Sequence, residues 1–470
     1  MLKRNLQDYI EQFRNKRIMI CGLGRSNMPV VNILTQHDIP VIIYDKNNIN
    51  NLDNNKNIIY RLGDESVWDE DFDIIIRTPG MNFHDSRITK LRENGAVVTS
   101  EIEIFFDLCP CLTIGITGSD GKTTTTSIIS DILKNSGYTV HTGGNIGNSI
   151  LENINNIKSH DIAVLELSSF QLISMAKSPD ISVITNISPN HLDVHKDMQE
   201  YIEAKKQIFM HQNIFSRTII NFNNNITKDF AQDIKSRYIY FGSKINNISN
   251  SSKNIVWVDE NNNIIYTENN KNEIVMNTKE IRILGNHNIE NYLAAIACVK
   301  ELVNNDSIIK TAREFSGVKH RLEFVRNING VNYYNDSIAT TPSRTINGAL
   351  SVFENKKIIL IAGGYDKKIP FENLAEEIIK KVSVLILMGD SAPKIYDNII
   401  KNNKYDKNSL SIVNVNNMNE AVLETQKYLK NVKNPEDYVV ILSPACASYG
   451  LYKNFEERGQ DFINIINNIK

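Results

Sequence analysis

The segment 112–133 constrains the fold more than any other part of the sequence. The apolar run 112–117 has the length of a buried strand, a glycine-containing loop with Lys122 and Thr123 follows it, and the amphipathic run 127–133 comes next. This order is typical of a parallel α/β sheet whose loop surrounds phosphate oxygens with backbone N–H groups. The lysine adds a fixed positive charge, and the threonine hydroxyl can ligate Mg²⁺. The sequence therefore predicts a nucleotide phosphate site after this strand.

The loop departs from the general phosphate-binding loop at one position. That form has glycine or alanine where this chain has Ile116, and here the glycine is Gly118, which gives Thr-Gly-x-x-Gly-Lys-Thr. The departure points away from small GTPases. A glycine-rich turn that binds no ligand is the alternative interpretation.

Apolar runs of strand length alternate with amphipathic stretches along most of the chain, which favours parallel sheets covered by helices. Strands are predicted at 17–21, 40–44, 73–76, 112–117, 162–166, 181–186, 331–335, 358–362, 383–388 and 438–442. An asparagine-rich stretch, 243–275, is predicted to form a small antiparallel excursion, and a helix is predicted over 292–302.

The expected fold class is α/β with three domains, since 470 residues exceed one ordinary domain. We expect a Rossmann-like domain at 1–110, a central ATPase-type parallel sheet with the phosphate loop at 111–318, and a Rossmann-like domain at 319–470.

Composition narrows the class of protein. Fifty-two basic residues against 54 acidic ones give a net charge of −2, so a nucleic-acid coat or an anionic membrane surface is not a favoured partner. No apolar run has the length needed to span a bilayer, and the N-terminus lacks a signal-peptide pattern. Five scattered cysteines lie outside zinc-like spacing, which suggests reduced thiols. We therefore expect a cytoplasmic enzyme.

The first predicted domain carries a partial dinucleotide fingerprint. Gly22-Leu-Gly24 follows the first strand, Asn27 stands where a third glycine is expected, and Asp45 ends the next strand about 20 residues later. Taken alone, this pattern predicts a Rossmann cofactor site and an NAD-dependent oxidoreductase.

Two later strands deliver polar residues to the edge where the phosphate loop lies. Glu166 ends the strand 162–166, and His191 follows the strand 181–186. Ligands bind at the carboxyl edge of an open parallel sheet, so the loop, Glu166 and His191 are expected to share one rim with a magnesium ion. His191 alone is more typical of a helix cap or a surface residue. Lys205 and Lys206 follow on a predicted amphipathic helix.

These residues resemble the Mur ligase family, ATP-dependent enzymes that join an amino acid to a carboxylate in peptidoglycan synthesis. The matching blocks occur in family order and are TGSDGKTTTT (117–126), GGNIG (143–147), ELSSFQL (166–172), TNISPNHLDVH (185–195), YIEAKKQIF (201–209), GNHNIENYLAA (285–295), KHRLEFV (319–325), YYNDSIAT (333–340) and LSPACASYGLYKNFEERGQDF (442–462). The last block and SSFQL most resemble the member that adds D-glutamate to UDP-N-acetylmuramoyl-L-alanine. The resemblance implies that activity, through an acyl phosphate, with ATP, D-glutamate and the UDP-linked acid as small-molecule partners and two magnesium sites. A monomer is expected.

The resemblance also implies roles for individual residues. The implied catalytic residues are Lys122, His191 and Lys205. The implied ATP-binding residues are Gly118, Ser119, Asp120, Gly121, Lys122, Thr123, Thr124, Asn288, Asn291, Arg321 and Asp336. The implied metal ligands are Thr123, Glu166, His191 and Lys205. Lys205 is implied to be carbamylated, because a lysine that has captured CO₂ is an anion that can ligate magnesium. A solvated helix lysine is the alternative.

The remaining implied roles concern the other two substrates. The residues implied for the UDP-linked substrate are Leu23, Gly24, Arg25, Ser26, Asp45, Asn82, Asn145 and Ser168. The residues implied for the amino acid are Thr340, Lys367, Ser448 and Phe455. Two positions depart from the family or vary in it: many relatives have lysine where this chain has Ile338, and Lys368 could replace Lys367.

Three other functions are alternatives. The first is a related ligase that adds another amino acid, such as L-glutamate, or a folylpolyglutamate synthase; the UDP-type first domain and the C-terminal block argue against the folate enzyme. The second is the NAD-dependent oxidoreductase, which leaves the phosphate loop unexplained. The third is a nucleotide-gated binding protein without catalysis.

Overall fold

The structure is a computed structural model that describes residues 5–49, 52–147, 149–191, 194–243, 254–353, 355–367 and 369–469. The chain divides into two compact units. The first unit is Met1–Arg282 with Asn286–Glu314, and the second is Ile283–Gly285 with Phe315–Lys470. The predicted domain boundaries after 110 and 318 stay predictions, and each falls between two of the sheets described below.

The first sheet lies in the first unit and is parallel throughout. Its strands are β1 (Ile18–Cys21), β2 (Val41–Asp45), β3 (Ile58–Leu62), β4 (Ile74–Arg77) and β5 (Val97–Thr99). Their order is β3-β2-β1-β4-β5, the order of a Rossmann fold, which reverses direction at β1. The helices of this region are α1 (Leu6–Ile10), α2 (Met28–Gln36), α3 (Ser86–Glu93) and α4 (Glu101–Leu108).

The second sheet also lies in the first unit and contains the phosphate loop. Its strands are β6 (Leu112–Thr117), β7 (Val140–Gly144), β8 (Ile162–Glu166), β9 (Ile181–Ile184), β10 (Arg217–Asn221), β11 (Arg237–Gly242), β12 (Asn254–Val258), β13 (Asn263–Glu268) and β14 (Lys271–Asn277). The order is β14-β13-β12-β11-β10-β9-β6-β8-β7, so β6 lies between β8 and β9. Its helices are α5 (Lys122–Asn135), α6 (Ser169–Leu172), α7 (Met198–Met210), α8 (Asn225–Asp229), α9 (Asn286–Val299) and α10 (Asn305–Glu314).

The predicted antiparallel excursion is confirmed within the described part of 243–275, but it is not separate from the sheet. β12 pairs in parallel with β11, and β13 and β14 then add antiparallel strands at the edge. The helix predicted over 292–302 begins earlier, at Asn286, and ends at Val299. The residues of its first turns are mostly polar, so the sequence shows no apolar periodicity there and the start of the helix was not predicted.

The third sheet lies in the second unit. Its strands are β15 (Glu323–Ile328), β16 (Val331–Asn335), β17 (Lys357–Ala362), β18 (Val382–Met388), β19 (Ser411–Val415) and β20 (Tyr438–Leu442). The order is β15-β16-β20-β17-β18-β19, parallel except for the edge strand β15. Its helices are α11 (Pro342–Asn347), α12 (Ala349–Val352), α13 (Glu372–Lys381), α14 (Ala392–Ile400), α15 (Met418–Lys430) and α16 (Phe455–Asn467). Short 3₁₀ helices lie at Glu11–Phe13, Glu65–Asp69, Ile150–Asn156, Phe230–Gln232, Thr278–Glu280 and Pro435–Asp437.

Burial explains why the central strands are continuous apolar runs. Strands β6 and β8 are almost wholly buried, as expected for parallel strands that are covered on both faces. One cluster of buried side chains includes residues of β1, of α4 and of β8, so the first and second sheets share a hydrophobic core. This shared core positions the loop after β1 and the loop after β6 within one unit. Together, the three parallel-rich sheets confirm the predicted α/β fold class.

Candidate active site

The phosphate loop requires glycine at two positions. Gly118 and Gly121 have φ angles of 154° and 79°, values that other residues rarely adopt. A Cβ atom on Gly118 would lie 1.9 Å from the Thr185 hydroxyl oxygen, and one on Gly121 would lie 2.4 Å from Asn291 Oδ1. Both glycines are therefore needed for the turn and for the close approach of neighbouring chain segments.

The segment after β9 holds the loop in place. The Ser119 hydroxyl donates to the Ser188 carbonyl at 2.9 Å, and the Asp120 N–H donates to Asn186 Oδ1 at 3.0 Å. The Thr185 hydroxyl donates to the Asp120 carbonyl at 2.6 Å. These bonds fix the loop backbone between two strands, as expected where the strand order reverses.

Lys122 begins α5 and lies over the loop. Its ammonium donates to the carbonyls of Gly118 and Ser119, both at 2.9 Å. Thr124, two positions further along the helix, is buried. A cation and a helix N-terminus thus lie at one place, a combination suited to a phosphate group.

Glu166 is a buried carboxylate in direct contact with the loop. The Thr123 hydroxyl donates to its Oε2 at 2.7 Å, and the Asn145 amide donates to its Oε1 at 2.9 Å. The Asn145 N–H also donates to the Glu166 carbonyl at 2.7 Å. The structure therefore brings together Thr123 and Glu166, two residues predicted as metal ligands, with Asn145, which was predicted for the UDP-linked substrate.

His191 and Ser168 lie on the two segments beside this carboxylate. His191 is exposed, has a φ of 56°, and places its ring 5.2 Å from the ring of Phe170. Ser168 follows Glu166 by two residues and caps α6, with Gln171 completing the capping box. Phe170 therefore joins the segment after β8 to the segment after β9.

The two adjacent lysines of α7 have opposite environments. Lys205 is buried, and its ammonium donates to the Gly118 carbonyl at 2.9 Å and to the Thr117 hydroxyl at 3.3 Å. Burial, and then the charge of Lys122, hold the pKa of Lys205 well below its ordinary value. Lys206 lies 2.7 Å from the Asp233 carboxylate, and its carboxylate partners raise its pKa despite partial burial.

Asn288 and Asn291 lie behind the loop on α9. Asn291 is buried, accepts a hydrogen bond from the Thr125 hydroxyl at 3.2 Å, and donates to Asn288 Oδ1 at 3.0 Å. Because Asn291 also faces Gly121, it is in direct contact with the phosphate loop, and Asn288 reaches the loop through Asn291.

The loop after β1 has the geometry of a Rossmann turn. Gly22 has a φ of 86°, and a Cβ there would lie 2.8 Å from the Thr78 methyl group. The Leu23 N–H donates to Asp45 at 3.1 Å. The amide of Asn27, which replaces the third glycine, is buried and donates to the carbonyls of Cys21 and Gly22. This side chain ties the loop ends together, which explains how the turn tolerates the substitution.

The other residues predicted for the UDP-linked substrate are close to solvent. Gly24 and Arg25 are exposed and Ser26 is half-buried at the start of α2. Asn82 is exposed, and its Oδ1 accepts the N–H of His84 at 2.9 Å. Asp45 differs, because its two carboxylate oxygens accept the backbone N–H groups of Leu23 and Asn47 and so stabilise the loop.

The second unit contains the remaining predicted residues. Asp336 is buried, accepts hydrogen bonds from the Ser443 hydroxyl at 2.7 Å and the Leu322 N–H at 3.2 Å, and burial raises its pKa to about 7. Arg321, next to Leu322, is one of the positive charges that oppose this rise.

The residues predicted for the amino acid differ in exposure. Ser448 is buried, Thr340 is half-buried, and Lys367 is exposed. Phe455 begins α16, and its carbonyl accepts the Ser337 hydroxyl at 2.8 Å. Lys368 lies outside the described residues.

Tyr201 contacts the site but was not predicted as a site residue. Its hydroxyl lies 3.0 Å from the Ser119 hydroxyl oxygen, and its ring lies 4.8 Å from the Lys205 ammonium. The spacing of four residues between Tyr201 and Lys205 places both on one face of α7, and this spacing is the sequence signal that could have identified Tyr201.

Among the described side chains, no cluster of three or more histidine, cysteine and acidic residues could hold a metal.

Comparisons with known proteins identify relatives of this chain. The Mur ligase middle domain matches residues 116–299, and the Mur ligase glutamate ligase domain matches residues 320–446. A UDP-N-acetylmuramoylalanine–D-glutamate ligase of Acetivibrio thermocellus is 42% identical over 479 residues, with 100% of both chains covered. The enzyme of the same description from Clostridium tetani is 43% identical over 478 residues, again with 100% of both chains covered.

The chain belongs to the Mur ligase family. This confirms the resemblance found in the sequence. Solved Mur-type ligases share the fold: a UDP-N-acetylmuramate–alanine ligase from Thermotoga maritima has a TM-score of 0.56 at 18% identity, covering 97% of this chain and 100% of that one. A pseudomurein peptide ligase from Methanothermus fervidus has a TM-score of 0.56 at 20% identity with the same coverage. In the part of this Mur ligase that the structure describes, no helix has the length and apolarity to cross a bilayer.

Proposed function

We propose that this Mur ligase joins D-glutamate to UDP-N-acetylmuramoyl-L-alanine and converts ATP to ADP and phosphate. The full-length identity of 42–43% to relatives described as UDP-N-acetylmuramoylalanine–D-glutamate ligases is the observation that carries the choice of substrates. The contact between the phosphate loop and a buried carboxylate supports ATP-dependent chemistry at the second sheet.

The phosphate loop is the proposed binding site of the ATP phosphates. The residues that would surround the phosphates are Gly118, Ser119, Asp120, Gly121, Lys122, Thr123 and Thr124. Lys122 is the group proposed to stabilise the charge of the γ-phosphate during transfer, because its ammonium lies over the loop at the helix N-terminus. Asn288 and Asn291 are proposed to face the adenine side.

Thr123 and Glu166 fit a magnesium site. Mg²⁺ prefers oxygen ligands, and here a hydroxyl and a carboxylate lie 2.7 Å apart beside the phosphate loop. The carboxylate is buried against two neutral donors, Thr123 and Asn145, so a cation would compensate its charge. Magnesium bound there would offset the repulsion between the triphosphate and the substrate carboxylate.

The proposed reaction has two chemical steps. The terminal carboxylate oxygen of UDP-N-acetylmuramoyl-L-alanine attacks the γ-phosphorus, a new O–P bond forms, and the bond to ADP breaks to give an acyl phosphate. The neutral amine of D-glutamate then attacks the activated carbonyl, loses a proton, and expels inorganic phosphate from a tetrahedral intermediate. The product is an amide.

Carbamylation of Lys205 is part of the proposal. A neutral amine reacts with CO₂ to form a carbamate and release a proton, and burial near Lys122 favours the neutral form of Lys205. The carbamate, together with His191, is proposed to hold a second magnesium ion. Growth in ¹³C-labelled bicarbonate should give a carbamate carbon signal by NMR that Lys205→Ala lacks and the neighbouring variant Lys206→Ala keeps. A signal that persists in Lys205→Ala would refute this assignment.

Roles for the remaining predicted residues follow the family resemblance. Leu23, Gly24, Arg25, Ser26, Asp45, Asn82, Asn145 and Ser168 are proposed for the UDP-linked substrate. Arg321 and Asp336 are proposed for the nucleotide, and Thr340, Lys367, Ser448 and Phe455 for the amino acid.

One assay tests the function and separates the alternatives. Phosphate release from ATP is measured with UDP-N-acetylmuramoyl-L-alanine and one amino acid at a time. Release that requires D-glutamate supports the proposal, release with L-glutamate or another amino acid indicates a different ligase, and no release with retained ATP binding indicates a binding protein. A change in NADH absorbance would instead favour an oxidoreductase.

Lys122→Ala is the matching variant test. It should reduce turnover at least about 100-fold, because it removes the charge proposed to stabilise phosphoryl transfer. Lys134→Ala, at the other end of α5, is the control and should keep the wild-type rate, because its exposed side chain pairs only with the neighbouring Asp131 among its described ion pairs. Wild-type turnover in Lys122→Ala would contradict the role of the loop.

A further inference from the structure

A row of polar side chains connects the segment after β4 with α7. The His84 Nε2 atom lies 2.8 Å from Glu200 Oε1, and the His84 backbone N–H donates to Asn82, a residue proposed to bind the UDP-linked substrate. Glu200 lies in the first turn of α7, where its other oxygen also accepts the Lys196 N–H at 2.9 Å. A residue of the first-sheet region is thereby in direct contact with the helix that carries Lys205.

His195 continues this connection into the core. Its side chain is 2% exposed, and both ring nitrogens have partners: Nδ1 lies 3.2 Å from Glu200 Oε2, and Nε2 lies 2.9 Å from the Ser169 hydroxyl oxygen. The orientation of the ring is thus set by one residue of α7 and one residue of α6.

The His195 ring contacts two residues that touch the nucleotide site. It stacks on Phe170 with ring centroids 5.2 Å apart and planes 5° apart, and its edge meets Tyr201 at 5.3 Å. Phe170 also contacts the His191 ring, and the Tyr201 hydroxyl lies 3.0 Å from the Ser119 hydroxyl oxygen in the phosphate loop. A displacement of the His195 ring would therefore shift Phe170 and Tyr201, and through them His191 and the phosphate loop.

A second contact holds Phe170 from the same direction. Arg77, the last residue of β4, is buried and donates through one guanidinium nitrogen to the Phe170 carbonyl at 2.7 Å and to the Ser174 hydroxyl at 2.9 Å. The backbone of Phe170 is thus fixed by β4, while its ring is fixed by His195. The end of β4 and the segment after it therefore contact the second-sheet region twice, through Arg77 to Phe170 and through His84 to Glu200.

We propose that His84, Glu200 and His195 couple the binding of the UDP-linked substrate to the binding of the nucleotide. In this proposal, which rests on the proposed function, His195 is a positioning residue that acts through Phe170 and Tyr201. When the substrate orders the segment of Asn82 and His84, this row also orders Phe170 and Tyr201 beside the phosphate loop. The nucleotide then loses less conformational entropy on binding, because the substrate has already ordered its site, and it binds more tightly. By linkage, the nucleotide tightens substrate binding by the same factor.

The experiment measures the dissociation constant of magnesium AMP-PNP by calorimetry, without and with saturating UDP-N-acetylmuramoyl-L-alanine. The wild-type enzyme should bind the nucleotide at least about 5-fold tighter when the substrate is present. His84→Ala should reduce that ratio to less than about 2-fold, whereas His84→Gln, whose amide can still reach Glu200, should restore most of it. His160→Ala is the control, because this exposed histidine lies outside the connected row, and it should keep the wild-type ratio.

A second variant tests the other end of the row. His195→Phe preserves an aromatic ring against Phe170 but removes both hydrogen bonds, so it should also reduce the ratio, with a raised KM for ATP and a smaller change in kcat. The wild-type ratio in either variant, or a wild-type ratio near one, would overturn the proposal. A lower substrate affinity in His84→Ala with an unchanged ratio would likewise overturn it. Failure of the proposed function is distinguishable, since the wild-type enzyme would then release no phosphate with D-glutamate.

Discussion

The substitution Gly121→Ala tests how the phosphate loop is built. Two costs follow from the structure. Gly121 has a φ of 79°, and an L-residue in that conformation costs about 1–2 kcal/mol. The new Cβ would also lie 2.4 Å from Asn291 Oδ1, so the asparagine side chain must move. Moving it breaks hydrogen bonds with Thr125 and Asn288, each worth about 1 kcal/mol. The expected loss of unfolding free energy is about 3–4 kcal/mol.

The two tryptophans of the chain make this loss measurable. Trp68 and Trp257 both lie in the first unit, so tryptophan fluorescence during urea unfolding reports on the unit that contains the loop. Gly137→Ala is a matched control, because Gly137 follows the same helix with a φ of 92° and nothing within 4 Å of its added Cβ. It should cost only the conformational part, about 1–2 kcal/mol.

A double-mutant cycle separates the steric part. In an Asn291→Ala background the side chain that obstructs the Cβ is gone, so Gly121→Ala should cost about 2 kcal/mol less than it does in the wild-type protein. Equal losses for Gly121→Ala and Gly137→Ala, or a cost of Gly121→Ala that Asn291→Ala leaves unchanged, would show that the Asn291 side chain does not obstruct the added Cβ.

Three further substitutions test burial and charge. Burial holds the pKa of folded Lys205 below its ordinary value of 10.5, so the unfolded chain binds more protons than the folded chain between the two pKa values. In CO₂-free buffer, the urea midpoint of the wild-type protein should therefore rise toward pH 10 relative to that of Lys205→Met, and parallel profiles would contradict this. Burial raises the pKa of Asp336 from 3.8 to about 7, so the folded chain binds more protons than the unfolded chain between these pH values. Measured by circular dichroism, the stability of the wild-type protein should therefore fall from pH 4 to 7 relative to that of Asp336→Asn, by roughly 4 kcal/mol at most, and a rise would contradict this. Gly459→Ala should destabilise the second unit by about 1–3 kcal/mol although alanine favours helices, because its Cβ would lie 2.2 Å from His320 Nδ1; a gain in thermal stability would oppose this explanation.

The central strands and the phosphate loop were predictable because their signals are local. Strands β6 and β8 are uninterrupted apolar runs, and such runs are buried on both faces whatever their neighbours are. Of the strands that were not predicted, β15 and β19 show why a sequence signal can be weak. β15 is only partly buried at one edge of its sheet, and β19, at the other edge, contains only exposed and partly buried residues, so neither has a long apolar run.

The site itself was predictable only in part. The sequence indicated that Glu166 would reach the edge of the sheet where the loop lies, because parallel strands share their carboxyl ends. It did not indicate that Thr123 would donate directly to Glu166, or that Tyr201 would contact Ser119. Those contacts join residues 43 and 82 positions apart, and such distances depend on the order of the strands and the placement of α7.

Local sequence was sufficient for the turn at Gly118 and Gly121, for the strand before it and for the helix after it, because backbone conformation and apolar periodicity act over a few residues. The different fates of Lys205 and Lys206 required the folded chain. The two are adjacent and chemically identical, yet one is buried under the phosphate loop and the other pairs with Asp233. Consecutive helix positions point about 100° apart, so which lysine loses its water depends on what the rest of the chain places against each face.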